Sequence, residues 1–180
     1  MKFDDLLTLS FIEGIGEKTL KKLRFVESAN SLSDMDDKEL SAYLPYRKTI
    51  HEFRTRYDYY KEKMHLFRQQ LAADGALIIA VDNSIYPERL LTYDSFPTFL
   101  YCKGNIDLIN SPKSAAISGP RMASRDGLEA SFRTAKALAS KDITVVSGLA
   151  KGIDSAAHKG ACESGKTIAV LPFFSPVYPS

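Results

Sequence analysis

From Val145 to Pro172 the chain reads VVSGLAKGIDSAAHKGACESGKTIAVLP, an uninterrupted strand, glycine-rich turn, helix and second strand. Two parallel strands can be joined only by a crossover of about this length, so the run commits this part of the chain to an α/β layout. The strand at 143–147 is β-branched and apolar, as a strand buried on both faces requires. It feeds Ser147-Gly148-Leu149-Ala150-Lys151-Gly152, whose small side chains let the backbone approach a ligand. A helix begins at Ile153 or Asp154. Its first N–H groups lack partners within the helix and sit at the positive end of its dipole, so an anion in the turn is favoured.

The same pattern occurs just upstream. A strand at 114–118 enters Gly119-Pro120-Arg121-Met122-Ala123-Ser124, and a helix over 125–140 places Leu128, Phe132, Ala135, Leu138 and Ala139 on one side. Together these segments spell βαβαβ, which predicts a parallel, doubly wound sheet with ligands outside the C-terminal strand ends. Both Gly-containing turns fall there. Neither is a dinucleotide fingerprint, because Gly-x-Gly-x-x-Gly and the acidic residue ending the second strand are missing, and no Gly-x-x-x-x-Gly-Lys-Ser/Thr loop occurs. The turns therefore suit a phosphate with no catalytic group beside it. Arg121 can clasp such a phosphate bidentately, and Lys151 adds a point charge. Asp154 fits a helix first turn and His158 follows four residues later, an acid–base pair by spacing, but the structural reading of both is favoured because no nucleophile or metal set accompanies them.

Residues 1–73 read as helical. Apolar positions Leu6, Leu7, Leu9, Phe11 and Ile12 precede Gly14-Ile15-Gly16, and Leu20, Leu23 and Val26 follow. This resembles a helix-hairpin-helix, whose glycines and neighbouring Lys18 contact a DNA phosphate. An equally weighted reading has the hairpin merely packing two helices. The stretch 28–39 reads as a linker and helix start with Ser33 or Asp34 as N-cap, and 48–73 as a long amphipathic helix. Strands at 76–81 and 98–102 are taken to open an α/β domain covering 74–180.

Composition excludes rather than assigns. Hydrophobic residues make up 44% of 180, enough for a core, and the charge is +2, although residues 103–180 hold 10 Lys and Arg against 6 Asp and Glu. Cys102 and Cys162 have no metal-type spacing, so no metal or cofactor is expected. No run is apolar enough for a membrane span and no signal segment opens the chain, which points to a cytoplasmic protein.

Tyr86-Pro87 with Leu90, Asp94 and Pro97, then Ile117-Ser118-Gly119-Pro120-Arg121, Ser147-Gly148-Leu149-Ala150-Lys151-Gly152-Ile153-Asp154 with Ala157-His158, the strand 167–171 and Tyr178-Pro179 resemble the DNA-processing protein A family, DprA or Smf. The resemblance implies a Rossmann-like domain behind a small helix-hairpin-helix or SAM-like domain. It implies a non-enzymatic protein that binds single-stranded DNA and assists loading of the RecA recombinase during uptake of transforming DNA, with a homodimer as a further expectation. Residue by residue, it assigns phosphate contacts to Gly119, Arg121, Ser147, Gly148, Lys151, Gly152 and His158. Pro120 stands where the family usually has serine and removes one N–H donor. The sequence ends at Ser180, before the family's later strands, so an incomplete sheet with an exposed last strand is expected. A nucleotide phosphoribohydrolase-like enzyme and a partner-binding fragment are the alternatives.

Overall fold

The computed structural model of the protein describes residues 1–163 and 165–172. These form two compact units, 1–103 and the described residues from 104 onward.

The first unit opens with α1 (Phe3–Leu9) and α2 (Glu17–Leu23), joined by the Gly14-Ile15-Gly16 turn. Gly14 has φ +92°, which side chains rarely adopt, so the predicted hairpin forms there for a backbone reason. The expected linker is instead ordered core-forming chain. Ser28 caps α3 (Ala29–Ser33), while Asp36 and Glu39 make a reciprocal capping box on α4 (Asp37–Leu40). The N-caps are thus Ser28 and Asp36 rather than Ser33 or Asp34, and Leu32 and Leu40 are fully buried. The sequence reading saw polar spacing and missed that each cap is followed by one apolar anchor.

The long predicted helix is present as α5 (Arg47–Ala73), with Ile50, Phe53, Tyr60, Met64 and Leu71 buried at helical spacing. Strands β1 (Ala76–Ala80) and β2 (Phe99–Lys103) pair antiparallel with each other, Ala76 opposite Lys103 and Ala80 opposite Phe99. Ala80 and Phe99 join the helical core. By packing, then, this hairpin groups with the helices, whereas the sequence reading opens the α/β domain at residue 74. Between the strands, Glu17 accepts hydrogen bonds from the Thr98 backbone N–H at 2.8 Å and its hydroxyl at 2.7 Å, tying α2 to the start of β2.

The second unit carries the predicted βαβαβ: β3 (Ser114–Ala116), α6 (Arg125–Ala139), β4 (Thr144–Ser147), α7 (Ile153–Cys162) and β5 (Thr167–Ala169). The sheet is parallel in the order β3-β4-β5, with Ala115 beside Val145 and Val145 beside Thr167. Its core consists of Ala135, Ala139, Val145, Ala157 and Ala161. Such small residues let α6 and α7 pack closely: a Cβ placed on Gly160 would lie 2.1 Å from the Phe132 carbonyl oxygen. The fold is a mixed helix and sheet arrangement with a Rossmann-like parallel sheet, as expected. Tyr178 and Pro179 lie outside the described residues.

Candidate functional site

The two turns meet. Gly152 has φ +87°, and a Cβ there would stand 2.4 Å from the Pro120 carbonyl oxygen and 2.6 Å from that of Arg121. A Cβ on Gly119 would strike the Ile153 side chain at 2.7 Å. The turn after β3 is therefore seated directly on the start of α7, and two glycines make that approach sterically feasible. The Ile153 N–H donates to the Pro120 carbonyl at 3.4 Å, and the Gly119 N–H donates to Asp154 Oδ1 at 3.3 Å. Asp154 is buried, so its carboxylate serves as a bracket between the turns. It makes no hydrogen bond to His158, and the acid–base pair suggested by their spacing does not form.

Around this seam lie donors with nothing to donate to. Among the described residues, no backbone N–H from Gly148 to Gly152 has a hydrogen-bond acceptor. Leu149 is held at φ +56°, an unusual conformation for a branched apolar residue, which keeps the turn from continuing as strand or helix. Not every donor is available. Ser155 uses both its N–H, at 3.0 Å, and its hydroxyl, at 2.6 Å, on the Ala150 carbonyl. The anion-binding capacity of this helix start thus resides in the turn before it more than in the first helical N–H groups.

The charged candidates flank the same place. Arg121 and Lys151 are exposed and form no ion pair among the described residues. Elsewhere in this unit Lys136 pairs with Glu163 at 2.7 Å and Lys166 with Asp142 at 2.8 Å. Lys151 precedes α7 and Arg121 precedes α6, where each helix end is itself positive, so cation and dipole reinforce rather than cancel. Asp126 and Asp154 in the first turns offset part of this.

Two predicted site residues have structural contacts instead of open faces. The Ser147 hydroxyl donates to the Ile117 carbonyl at 2.6 Å, linking β4 to the end of β3. His158 is 6% exposed, and its Nδ1 lies 2.8 Å from Thr167 Oγ1. Thr167 gives its own proton to the Val145 carbonyl at 2.8 Å, so it accepts from His158 and Nδ1 carries the proton. Among the described residues Nε2 is buried without a hydrogen-bond partner. Burial pushes the imidazole pKa below its ordinary value, against smaller opposing effects of the Ser147 carbonyl and the Asp154 carboxylate.

In the first unit Gly14, Gly16 and Lys18 are exposed. A Cβ on Gly14 would lie 2.5 Å from Thr49 Oγ1 and 3.2 Å from the Tyr46 ring, so this glycine is already explained by packing against the start of α5. Gly16 faces open space as the N-cap of α2. Among the described residues no three His, Cys, Asp or Glu side chains gather as a metal site, and no described helix is long and apolar enough to cross a membrane.

Sequence reasoning missed Arg125 and Lys159. Both border a groove of about 490 Å³ beside Arg121, lined also by Leu128, Phe132 and Ser155. The four-residue spacing of Arg121 and Arg125 across a helix start was the available signal, since a cation in the first turn opposes the helix dipole.

The family described as DNA recombination-mediator protein A matches residues 77–180. The DNA processing protein DprA of Streptococcus pneumoniae is 42% identical over 87 residues, 48% of this chain and 30% of that protein. Protein Smf of Escherichia coli is 36% identical over 95 residues, 52% of this chain and 25% of that protein. The X-ray structure of DprA from Streptococcus pneumoniae superposes with a TM-score of 0.64 at 24% identity, covering 95% of this chain and 58% of that one, which shows a shared fold. The matched segments span at most about a third of these two curated relatives. With the match running over more than half of its residues, through both glycine turns and the helices behind them, the chain belongs to the DNA recombination-mediator protein A family.

Proposed function

We propose that this protein binds single-stranded DNA through its phosphates at the seam of the two turns, and acts as an accessory factor in DNA uptake and recombination. The observation that carries this is the run of unengaged N–H groups from Gly148 to Gly152 beside two unpaired cations, Arg121 and Lys151. Backbone donors and guanidinium groups recognise phosphate without reading bases, which suits a protein that must accept any incoming strand. In this reading Gly119 and Gly152 contribute by letting the two turns close on each other, which brings the Gly148–Gly152 N–H groups beside Arg121. Ser147 and His158 position the turns rather than touch the ligand. Delivery of the strand to a RecA-type recombinase and self-association into a homodimer belong to the same proposal, supported by family membership. No catalytic step is part of it: Asp154 is held by Gly119, and no second carboxylate reaches it with a hydrogen bond.

The test is fluorescence anisotropy of the chain with labelled single- and double-stranded oligonucleotides at two salt concentrations. Preference for single strands, with affinity falling steeply as salt rises, is expected. Arg121→Ala and Lys151→Ala should each weaken binding several-fold with the far-UV circular dichroism unchanged. Salt-insensitive binding, or variants indistinguishable from the parent, would sink the proposal.

A further inference from the structure

The groove beside Arg121 has a composition that phosphate binding alone does not require. Its walls are apolar, supplied by Leu128 and Phe132 of α6, and Met122 stands at its mouth with 95% of its surface exposed. Its rim carries Arg121, Arg125 and Lys159, none of which has an ion pair among the described residues, against a single lining carboxylate, Glu129. A fully exposed methionine between two arginines has no packing purpose. Apolar walls inside a cationic rim describe a receptor for a flat, weakly polar group attached to an anion.

We infer that this groove receives an unstacked nucleobase of the strand whose phosphate sits at Arg121, with Arg125 and Lys159 holding the phosphates that follow. The inference rests on the single-stranded DNA reading above and extends it from the turns onto the α6–α7 face. Charge complementarity selects this occupant: an acidic or purely apolar partner would leave either the walls or the rim unmatched. A volume of about 490 Å³ falls within the range of ordinary ligand pockets, roughly 300–1,000 Å³. Thioether, phenyl and guanidinium groups all stack on bases without reading their edges, so the groove adds affinity for unpaired strands and little sequence preference. Bases in a duplex are stacked and paired, and the groove cannot reach them.

The experiment compares a thymidine oligonucleotide with an abasic oligonucleotide of the same length and phosphate number, titrated by anisotropy against the full chain. Removing the bases should weaken binding about tenfold. Met122→Ala, at a site with no packing to lose, should narrow that difference while leaving abasic binding unchanged. Arg125→Ala and Lys159→Ala should weaken both oligonucleotides several-fold, each lowering the salt slope by about 0.7. Equal affinity for the two oligonucleotides would overturn the inference. So would Arg125 and Lys159 variants that bind like the parent while Arg121→Ala is impaired, and in that case phosphate binding at the turns would survive. Indifference to Arg121→Ala as well, or no oligonucleotide binding at all, would remove both. Saturable binding of thymidine monophosphate with no gain for the oligonucleotide would assign the groove to a free nucleotide and overturn it too.

Discussion

The two compact units are held together by opposite means. In residues 1–103 the core is made of large apolar side chains, with Leu7, Leu9, Leu23, Leu32, Leu40, Phe53 and Met64 essentially inaccessible. Among the described residues of the α/β unit the buried core is four alanines and a valine, with Ile117 and Leu138 packed against it. Buried area scales with side-chain size, so the first unit gains most of its stability from apolar surface removed from water. The second gains proportionally more from close backbone approach and from polar links between elements. Ser131 donates to the Ile153 carbonyl at 2.9 Å, Ser147 to Ile117, and Thr167 to Val145. The lesson is about sensitivity: one unit fails when atoms are removed, the other when they are added.

That contrast can be broken most visibly at Phe53, which is 2% exposed and stacks edge-on against Tyr57 with ring centroids 5.5 Å apart. Phe53→Ala should cost about 3–5 kcal/mol of the first unit's stability. Eight of the nine tyrosines lie in residues 1–103, so tyrosine fluorescence during chemical unfolding reports this unit. A midpoint unchanged by the substitution would mean that the large side chains do not carry the unit. The converse change is Gly160→Ala. It adds one methyl group where the Phe132 carbonyl oxygen stands 2.1 Å away, so α6 and α7 must separate, at a cost of about 1–3 kcal/mol. Backbone amide exchange should rise in α6 and α7. Unchanged protection there would refute the claim that close approach holds the unit.

A smaller effect separates stability from function within the second unit. Arg121→Ala removes an exposed cation with no partner among the described residues, so it should leave the melting temperature unchanged within about a degree. Affinity for single-stranded DNA should fall several-fold at low salt, equivalent to about 1 kcal/mol, and the loss should shrink as salt rises. A destabilised Arg121 variant would show that this side chain belongs to the fold instead.

The sequence made the second unit more legible than the first. Strand, turn and helix followed one another from 114 to 169 with period-2 and period-3.6 patterns intact, so each element appears within two residues of its expected place. The long helix α5 was equally plain from its recurring aromatics. What stayed hidden depended on tertiary contact. The acidic, Ser-rich stretch 28–39 looked like a linker because α3 and α4 are too short to show a period. The antiparallel pairing of β1 and β2 could not be told from parallel pairing, since a strand's composition does not name its neighbour. At the candidate site, Arg121 and Lys151 were singled out from their place in the turns. His158 was grouped with them by resemblance, while its hydrogen bond to Thr167 and its burial place it behind the turns.

His158 also offers the finest test of the contrast. Among the described residues the first unit buries threonines, Tyr60 and Tyr86, none of which titrates near neutral pH, whereas the second unit buries Asp154 and His158. Protonating His158 would put a positive charge at Nε2, which has no hydrogen-bond partner, and Nδ1 is already donating. The folded state therefore prefers the neutral ring, and its imidazole pKa lies below the ordinary value near 6.5. Between the folded and the unfolded pKa the unfolded chain binds more protons, so stability must fall as pH drops through about 6.5 and level off below the folded value. Amide exchange across α7 and β5, corrected for the intrinsic pH dependence of exchange, should reveal this loss between pH 7 and pH 5. In His158→Gln, which keeps a side-chain N–H for Thr167 but cannot take up a proton in this range, the curve should be flat over the same interval. A parent protein with no such slope would mean that the imidazole finds an acceptor for its second proton in solution, and that α7 is held to β5 more loosely than the close packing of the second unit implies.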